Sequence, residues 1–496
     1  MTKPLERTTL APGLEICRIT TGLWQMADQE RDGRAIDLDT LANVLVDYAE
    51  DGFDSFDMAD HYGSAELVAG RAAARLVDKG GRAPAILTKW VPEPGPITPD
   101  VVRDGVRQRL DRLGLERLDL LQFHWWDYSH PGYLDVMTEL MRLREEGLIG
   151  HLGVTNFDTA HLRLLVKNGI EIATNQICFS LLDRRAADGM TDFCLEHGVR
   201  LLAFGTLGGG FLSERWQVND PPAAAEVGDW SKMKYRRYIE AAGGWSAFQG
   251  LLRTLADVAE KHGASIANIA TRWVLEQPAV AAVIVGARLG ERDHRADNRR
   301  LFSLQLDHED KDRINRSIAS IVSIPGDCGD EYRKPPFLTA SGDLSHHLNE
   351  MPKAYVVTPS SHRPARSRVD TGSATEAACG YSRAIRAGDR ILVSGTTATH
   401  GAGGVVCPGD VEGQTTHILD KIEAAITALG GSIEDVVRTR IYMKDASRWE
   451  EAARAHGRVF GEVLPANTLI EVKDLVGDYE VEIEAEAMVS SHDHLI

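Results

Sequence analysis

One rhythm limits what this chain can fold into. From about Glu15 to about Ala287, short apolar runs mostly uninterrupted by charge alternate with longer stretches whose apolar residues recur every three or four positions. The runs are EICRITTG, FDSFDMA, PAILTKW, LDLLQFHW, GHLGVTN, IATNQICF, VRLLAFGT and VAAVIVGA. Strands that avoid charge along their length are buried on both faces, as in a parallel sheet covered by helices; a sheet with one wet face alternates apolar with polar residues. The intervening LDTLANVLVDYAED, PDVVRDGVRQRLDRLG and YLDVMTELMRLREEG carry the helical spacing. Eight such units, in a span of the usual size, predict an α/β chain built on a (β/α)8 TIM barrel.

The barrel accounts for only part of 496 residues. After DKDRINRSIASI the pattern dissolves into a stretch rich in proline, serine and glycine, with the adjacent His346 and His347, which reads as a linker. Adjacent histidines in a polar loop usually sit in solvent, and no metal site is expected. A second rhythm begins near Tyr381. RAGDRILVSGTT, VVRTRIYMKD, NTLIEVKDL and EVEIEAEAMVS read as strands, and HILDKIEAAITALGG and RWEEAARAHGRVFGEV as helices. The expected division is residues 1–325 as barrel, 326–375 as linker and 376–496 as a small α+β domain.

Other readings narrow by exclusion. Lys plus Arg total 55 against 73 Asp plus Glu, a formal charge of −18, which disfavours nucleic acid and anionic membrane as partners. The six cysteines show no CxxC pair or repeated spacing, so neither a disulfide framework nor a metal cluster is implied. No secretory signal or membrane-spanning run is legible, and the expectation is a cytoplasmic protein.

In such a barrel, polar residues at the C-terminal ends of strands are placed for catalysis. Asp57 and Tyr62 follow the second strand run, Lys89 ends the third and His124 the fourth, so the four converge on one mouth. These residues, with the YG at 62–63, resemble the aldo-keto reductase family, whose active site is an Asp, Tyr, Lys and His tetrad in this chain order. The resemblance implies reduction of an aldehyde or ketone to an alcohol, with Tyr62 as general acid, Lys89 its electrostatic partner, Asp57 orienting Lys89, and His124 orienting the substrate oxygen. Lowering a phenol from about 10 by about 2 units takes roughly 3 kcal/mol, and an ammonium about 4 Å away supplies a term of that size at an effective dielectric near 20. Trp24, Trp90 and Trp125, with Trp126 and Tyr128, follow strand ends and suggest an aromatic-lined opening for a small carbonyl substrate.

The same resemblance implies a nicotinamide dinucleotide site. Thr155, Asn156 and Gln176 match positions that bond the carboxamide, and Phe204 the position that stacks on the nicotinamide ring. Gly22, Trp24, Gly205, Leu207, Gly208, Gly209, Gly210 and Gly286 fall along the cofactor, with the glycine run offering amides to the pyrophosphate. Arg288 matches the ligand of the adenosine 2′-phosphate and Asn298 that of the adenine; His294 stands where many members have a second Arg or Gln. A guanidinium suits a phosphate, so NADP(H) is preferred, with NAD(H) allowed. The basic cluster WSKMKYRRYIE, in a long segment after strand seven, reads as a loop beside the site.

The C-terminal pattern, with GYSRAIRAGDRILVSG and VEIEAEAM, resembles the Rid/YjgF superfamily, whose active members are typically trimers that hydrolyse enamines and imines. A homo-oligomer formed through this domain follows from that likeness. The family's Pro-Ala-Arg reads Pro465-Ala466-Asn467 here. Asn467 cannot make the bidentate carboxylate pair, worth roughly 1.5–3 kcal/mol, so the domain is expected to lack imine deaminase activity. Tyr381, Ser394 and Glu484 remain at pocket positions, and Glu484 fits equally the solvated face of an alternating strand. The alternatives are a nicotinamide-redox sensor and a bifunctional reductase and deaminase.

Overall fold

The computed structural model describes residues 4–489 apart from 32, 34–35, 94, 96, 219, 224–229, 335–351 and 402. The His346–His347 pair and much of the expected linker lie outside the described residues.

Two strands, β1 (Arg7–Ala11) and β2 (Leu14–Cys17), form an antiparallel hairpin. The barrel follows as β3 (Ile19–Gly22), β4 (Ser55–Asp57), β5 (Ala85–Trp90), β6 (Leu118–His124), β7 (Ile149–Thr155), β8 (Thr174–Cys178), β9 (Arg200–Phe204) and β10 (Val280–Gly286). The eight are closed in chain order, and β10 pairs in parallel with β3 from Val283↔Ile19 to Gly286↔Gly22. The first expected run, EICRITTG, is thus two strands. Its interruption is Arg18, whose guanidinium donates to the carbonyls of Leu275, Val280 and Ala281 and turns the chain from hairpin into barrel. Leu10, Leu14 and Ile16 of the hairpin pack with Leu87, Leu120 and Leu202 of the barrel interior, closing its N-terminal end. The polar strand ends are left to the opposite mouth.

The helices show why the sequence spacing was readable. Helix 99–113 starts on Pro99, is capped by Thr98 accepting from the Val101 amide, and stops at Gly114, whose φ of 65° suits glycine. Among the described residues no helix is long and apolar enough to cross a membrane.

The C-terminal sheet contains β11 (Val357–Pro359), β12 (Arg366–Val369), β13 (Ala384–Ala387), β14 (Arg390–Thr397), β15 (Val436–Met443), β16 (Ala466–Glu471) and β17 (Val481–Met488), in the order β11-β12-β13-β14-β17-β15-β16. Helix 411–428 packs on β14 and β17. The stretch expected as linker therefore does more than tether: β11 and β12 extend this sheet, and a helical turn, Asp330–Arg333, returns to the barrel. RSRV was not legible as a strand because only Val369 of its four residues is buried and both of its arginines are exposed.

The two domains are docked. Helix 159–167 of the barrel lies on helix 411–428. Tyr133 donates to Asp420 at 2.6 Å, His161 sits between Asp158 (2.7 Å) and Asp420 (3.2 Å), and Arg163 pairs with Asp410 at 2.8 Å.

Candidate active site at the barrel mouth

The floor of the mouth is an ion pair on adjacent strands. Lys89 Nζ lies 2.7 Å from both oxygens of Asp57 and donates to the Met58 carbonyl at 3.0 Å. The amides of Gln122 and Gln176 donate to the same Asp57 oxygen at 3.3 and 2.7 Å. Lys89 is 2% exposed, and burial lowers its pKa while Asp57 pulls it back up. Gln176 Nε2 is also within 3.0 Å of Gln122 Oε1, so this expected cofactor residue has its amide nitrogen committed to the floor.

Tyr62 stands on the turn after β4, its amide bonded to the Ala59 carbonyl, its ring edge-on to Trp24 at 4.9 Å and 5.2 Å from Lys89 Nζ. Its phenol is held well above the ordinary value, by burial first and then by the charge of Asp57. This corrects the expected lowering. Lys89 directs its charge at both Asp57 oxygens, and the buried carboxylate opposes a phenolate. The phenol is consequently held in its protonated form. His124, 4% exposed at the end of β6, meets Trp126 at 4.6 Å and Tyr332 edge-on at 5.4 Å between ring centroids.

The far side of the mouth has the features of an amide receptor. Thr155 Oγ1 and Asn156 Oδ1 are buried and have no hydrogen-bond partner. Asn156 takes a left-handed φ of 57° while its backbone amide bonds the Gln176 carbonyl. Buried polar atoms are normally satisfied, so two orphans side by side fit an absent ligand with both a donor and an acceptor, such as a carboxamide. Phe204 closes β9, in register with Cys178 of β8. Gly205 has no room for a side chain, since a Cβ would fall 2.2 Å from the Tyr235 hydroxyl. Leu207 leads into Gly208, Gly209 and Gly210, all at positive φ, and Gly210 faces open space. Gly22 and Gly286 are register partners at the β3–β10 seam. Arg288 faces Glu291 at 3.8 Å, His294 is exposed at the start of helix 295–301, and Asn298 is half-buried on it. Arg295 is tied to Asp293 and Asp51, each at 2.7 Å.

The aromatic residues divide. Trp24 is in the mouth, against Tyr62. Trp90 is buried behind it, over Gly105, where a Cβ would meet the indole at 2.6 Å. Trp125 lines a separate cavity toward the C-terminal domain and donates to the His130 carbonyl. Tyr128 stacks on His161 at 3.3 Å, in the domain interface.

Sequence reasoning missed the lid of the mouth. Glu331, Tyr332 and Arg333 fall in the expected linker, yet Glu331 pairs with Arg185 at 2.8 Å and Arg333 donates to the Asn156 carbonyl. Lys234, from the basic cluster read as a loop, donates to the Tyr332 hydroxyl at 2.9 Å and stands 5.4 Å over the Phe204 ring. Burial works against the Lys234 charge, but Tyr332 and Glu331 outweigh it and its pKa is raised. The only sequence signal was a run of charged and aromatic residues, DEYR, after Gly329. Cys178, Asp183 and Glu331 also lie close together, but both carboxylates are paired with Arg185.

In the C-terminal domain Tyr381 and Ser394 line a cavity of about 1060 Å³. Of the two β17 carboxylates, Glu482 lines it; Glu484 is turned to Arg440 (2.9 Å) and the Tyr442 hydroxyl (2.7 Å). Asn467 donates to Thr439 at 2.9 Å and does not line this cavity.

Comparison with known proteins agrees with both halves. Residues 18–319 match the model of the aldo/keto reductase family, and residues 371–489 that described as Endoribonuclease L-PSP. The chloroplastic pyridoxal reductase of Arabidopsis thaliana is 24% identical over 288 residues, 55% of this chain and 76% of its own length. The RutC family protein PH0854 of Pyrococcus horikoshii is 34% identical over 105 residues, 21% of this chain and 83% of its own. The glycerol dehydrogenase of Gluconobacter oxydans is similar in structure, with a TM-score of 0.53 at 25% identity over 64% of this chain and 95% of that one. The chain is a member of the aldo/keto reductase family of oxidoreductases that carries a Rid/YjgF-type domain at its C-terminal end.

Proposed function

We propose that the barrel reduces an aldehyde or ketone to an alcohol in the cytoplasm, with NADP(H) preferred over NAD(H) and Tyr62 as the proton donor. The observation that carries this reading is the juxtaposition of a protonated, half-buried Tyr62 with a fixed Lys89–Asp57 pair on one side of the mouth and the orphaned Thr155 and Asn156 side chains on the other. When bound, a reduced nicotinamide supplies the hydride. Thr155 and Asn156 would hold its carboxamide, Phe204 would line the ring's side of the site, and the loop at 207–210 would receive the pyrophosphate. His124 fixes the substrate oxygen while Tyr62 gives its proton to the alkoxide that develops there, with Lys89 near enough to stabilise the phenolate left behind. Arg288, one-third exposed, supports the preference for a 2′-phosphate. Pyridoxal and glycerol, named in two of the relatives, belong to the first panel of substrate pairs to test.

The decisive assay is turnover of a carbonyl panel with NADPH and NADH in parallel. Tyr62→Phe is expected to lower kcat by about 10²–10⁴ while cofactor binding persists. Undiminished reduction by that variant removes the assigned acid.

The C-terminal domain, in this reading, does not deaminate imines. Asn467 is bonded to Thr439 rather than presented to the Tyr381 cavity. One observation favours a sensing role beside catalysis: Arg333 touches Asn156 in the amide receptor, and the barrel is joined to the C-terminal domain through His161 and Asp420. Rapid multiple turnover would exclude a purely sensing barrel.

A further inference from the structure

We infer that the cavity between the C-terminal sheet and the barrel is a second carbonyl-binding site, in which the Lys421 amine adds to a small aldehyde or ketone and holds it as an imine. The inference does not rest on the reductase reading, because capture needs neither the nicotinamide site nor Tyr62.

The cavity, about 1060 Å³, lies between the domains, so that a wall a free-standing Rid-type domain would lack comes from the barrel. Trp125 and Leu134 form that wall, and Tyr355, Tyr381 and Tyr479 stand on the other side. Asp135, Arg383, Ser394 and Glu482 also line it, so the cavity suits a small molecule that carries polar groups beside a ring or short chain. The polar end belongs to helix 411–428, which presents His417 and Lys421 one turn apart on one face.

The surroundings of Lys421 select its neutral form. Its Nζ donates to the carbonyls of Thr397 at 3.0 Å and Thr399 at 3.4 Å. Among the described residues no ion pair includes it. An ammonium has three protons to place, whereas a neutral amine has two. Two carbonyls therefore satisfy the neutral amine and leave its lone pair for an electrophile. Burial, with Arg383 adding and Glu376 opposing, brings the ammonium down to about 8. At pH 7.5 that leaves roughly 200 times more free amine than on an ordinary lysine.

His417 supplies the second, independent sign of a ligand. It is 4% exposed, lines the same cavity, and its Nδ1 has no hydrogen-bond partner. Burial, then the neighbouring Lys421, hold its ring neutral, with a pKa near 4. A buried neutral imidazole nitrogen without a partner suits the hydroxyl of the addition intermediate.

The step balances without a redox partner. The Lys421 lone pair forms the C–N bond as the carbonyl π pair moves onto oxygen, one amine proton passes to that oxygen to make a hydroxyl, and the hydroxyl leaves with the second amine proton as water to give the neutral imine. Water reverses it.

The test uses the full chain, benzaldehyde as probe and sodium cyanoborohydride, whose hydride reduces the imine and fixes a benzyl group on nitrogen. Peptide mapping by mass spectrometry then gives a rate for each lysine. At pH 7.5, Lys421 is expected to be benzylated at least about 10-fold faster than Lys79 and Lys311, which are 58% and 47% exposed. Its rate is expected to rise with a midpoint near pH 8. Lys421→Arg, checked for folding by its melting curve, should lose this modification and leave the other lysines unchanged. A wild-type Lys421 rate below the 10-fold mark overturns the proposal, and needs no variant to fold. Tyr62→Phe should label at the wild-type rate, so failure here and failure of the reductase reading are separable.

Discussion

Lys89 in the barrel mouth and Lys421 on the C-terminal helix are both buried amines, and burial lowers the pKa of each. Their partners differ. Lys89 meets both oxygens of one carboxylate at 2.7 Å, and two glutamine amides fix that carboxylate in turn. Lys421 meets two backbone carbonyls. A carboxylate at contact returns much of the cost of taking an ammonium out of water, whereas carbonyl dipoles return less. The same side chain is thus a fixed positive charge in one domain and a titratable amine in the other. The lesson is that burial alone does not assign a lysine its role; the atoms facing Nζ do.

The sharpest way to break this comparison is to remove one partner. Asp57→Ala strands the Lys89 charge in the floor and should destabilise the barrel by about 3–5 kcal/mol, with loss of turnover. Lys421→Met removes an amine with no counter-charge to strand and should cost under about 2 kcal/mol, since only two carbonyls lose a donor. Urea unfolding midpoints of the two variants measure the difference, and equal losses would end the distinction.

A smaller effect tests whether the lid belongs to the mouth. Tyr332→Phe deletes the hydrogen bond to the buried Lys234 ammonium, a charge-assisted contact worth roughly 1.5–3 kcal/mol. KM for the carbonyl substrate is expected to change by about tenfold or more, while Tyr381→Phe, in the other cavity, leaves it unchanged. Smaller again is Arg288→Ala. Its guanidinium is one-third exposed and faces Glu291, so the loss in NADPH affinity should be about tenfold, with NADH affinity little altered. Equal losses would remove the 2′-phosphate assignment.

What the sequence disclosed follows the same physical divide. Eight largely apolar strand runs and the tetrad at their ends were legible because parallel strands buried on both faces impose composition locally. Tyr332 and Lys234 were not, because their meaning lies in a contact between residues 98 positions apart, each embedded in polar sequence that resembles loop. Glu484 was mistaken for Glu482 for a related reason. Both residues point to the same face of β17, and only the neighbours across the sheet, Arg440 and Tyr442 for one and the Tyr381 cavity for the other, separate them. The Lys89 charge taken alone would lower the Tyr62 phenol, but burial and the Asp57 carboxylate together raise it, and neither is legible from one residue.

The weakest expected effect concerns how firmly the two domains are held together. His161 is buried between Asp158 and Asp420, with Tyr133 also bonded to Asp420. Burial opposes the imidazolium, the two carboxylates favour it, and the carboxylates prevail, so its folded pKa is raised. A group raised on folding contributes fully below its unfolded value of about 6.5, and the contribution fades as pH climbs through the folded value. The melting temperature should therefore fall by about 2–4 °C on the alkaline side of neutrality. Glu423, held up near 8 by burial in the same interface, changes charge over this range too. Asp420 raises Glu423 as well as His161, so the comparison is made in a Glu423→Gln background, which removes that second titration; Asp420→Asn added to it weakens the hold on the His161 proton. The double variant should show a shallower alkaline decline than Glu423→Gln alone. If both chains lose stability with the same slope, the His161 bridge does not hold the barrel to its C-terminal domain.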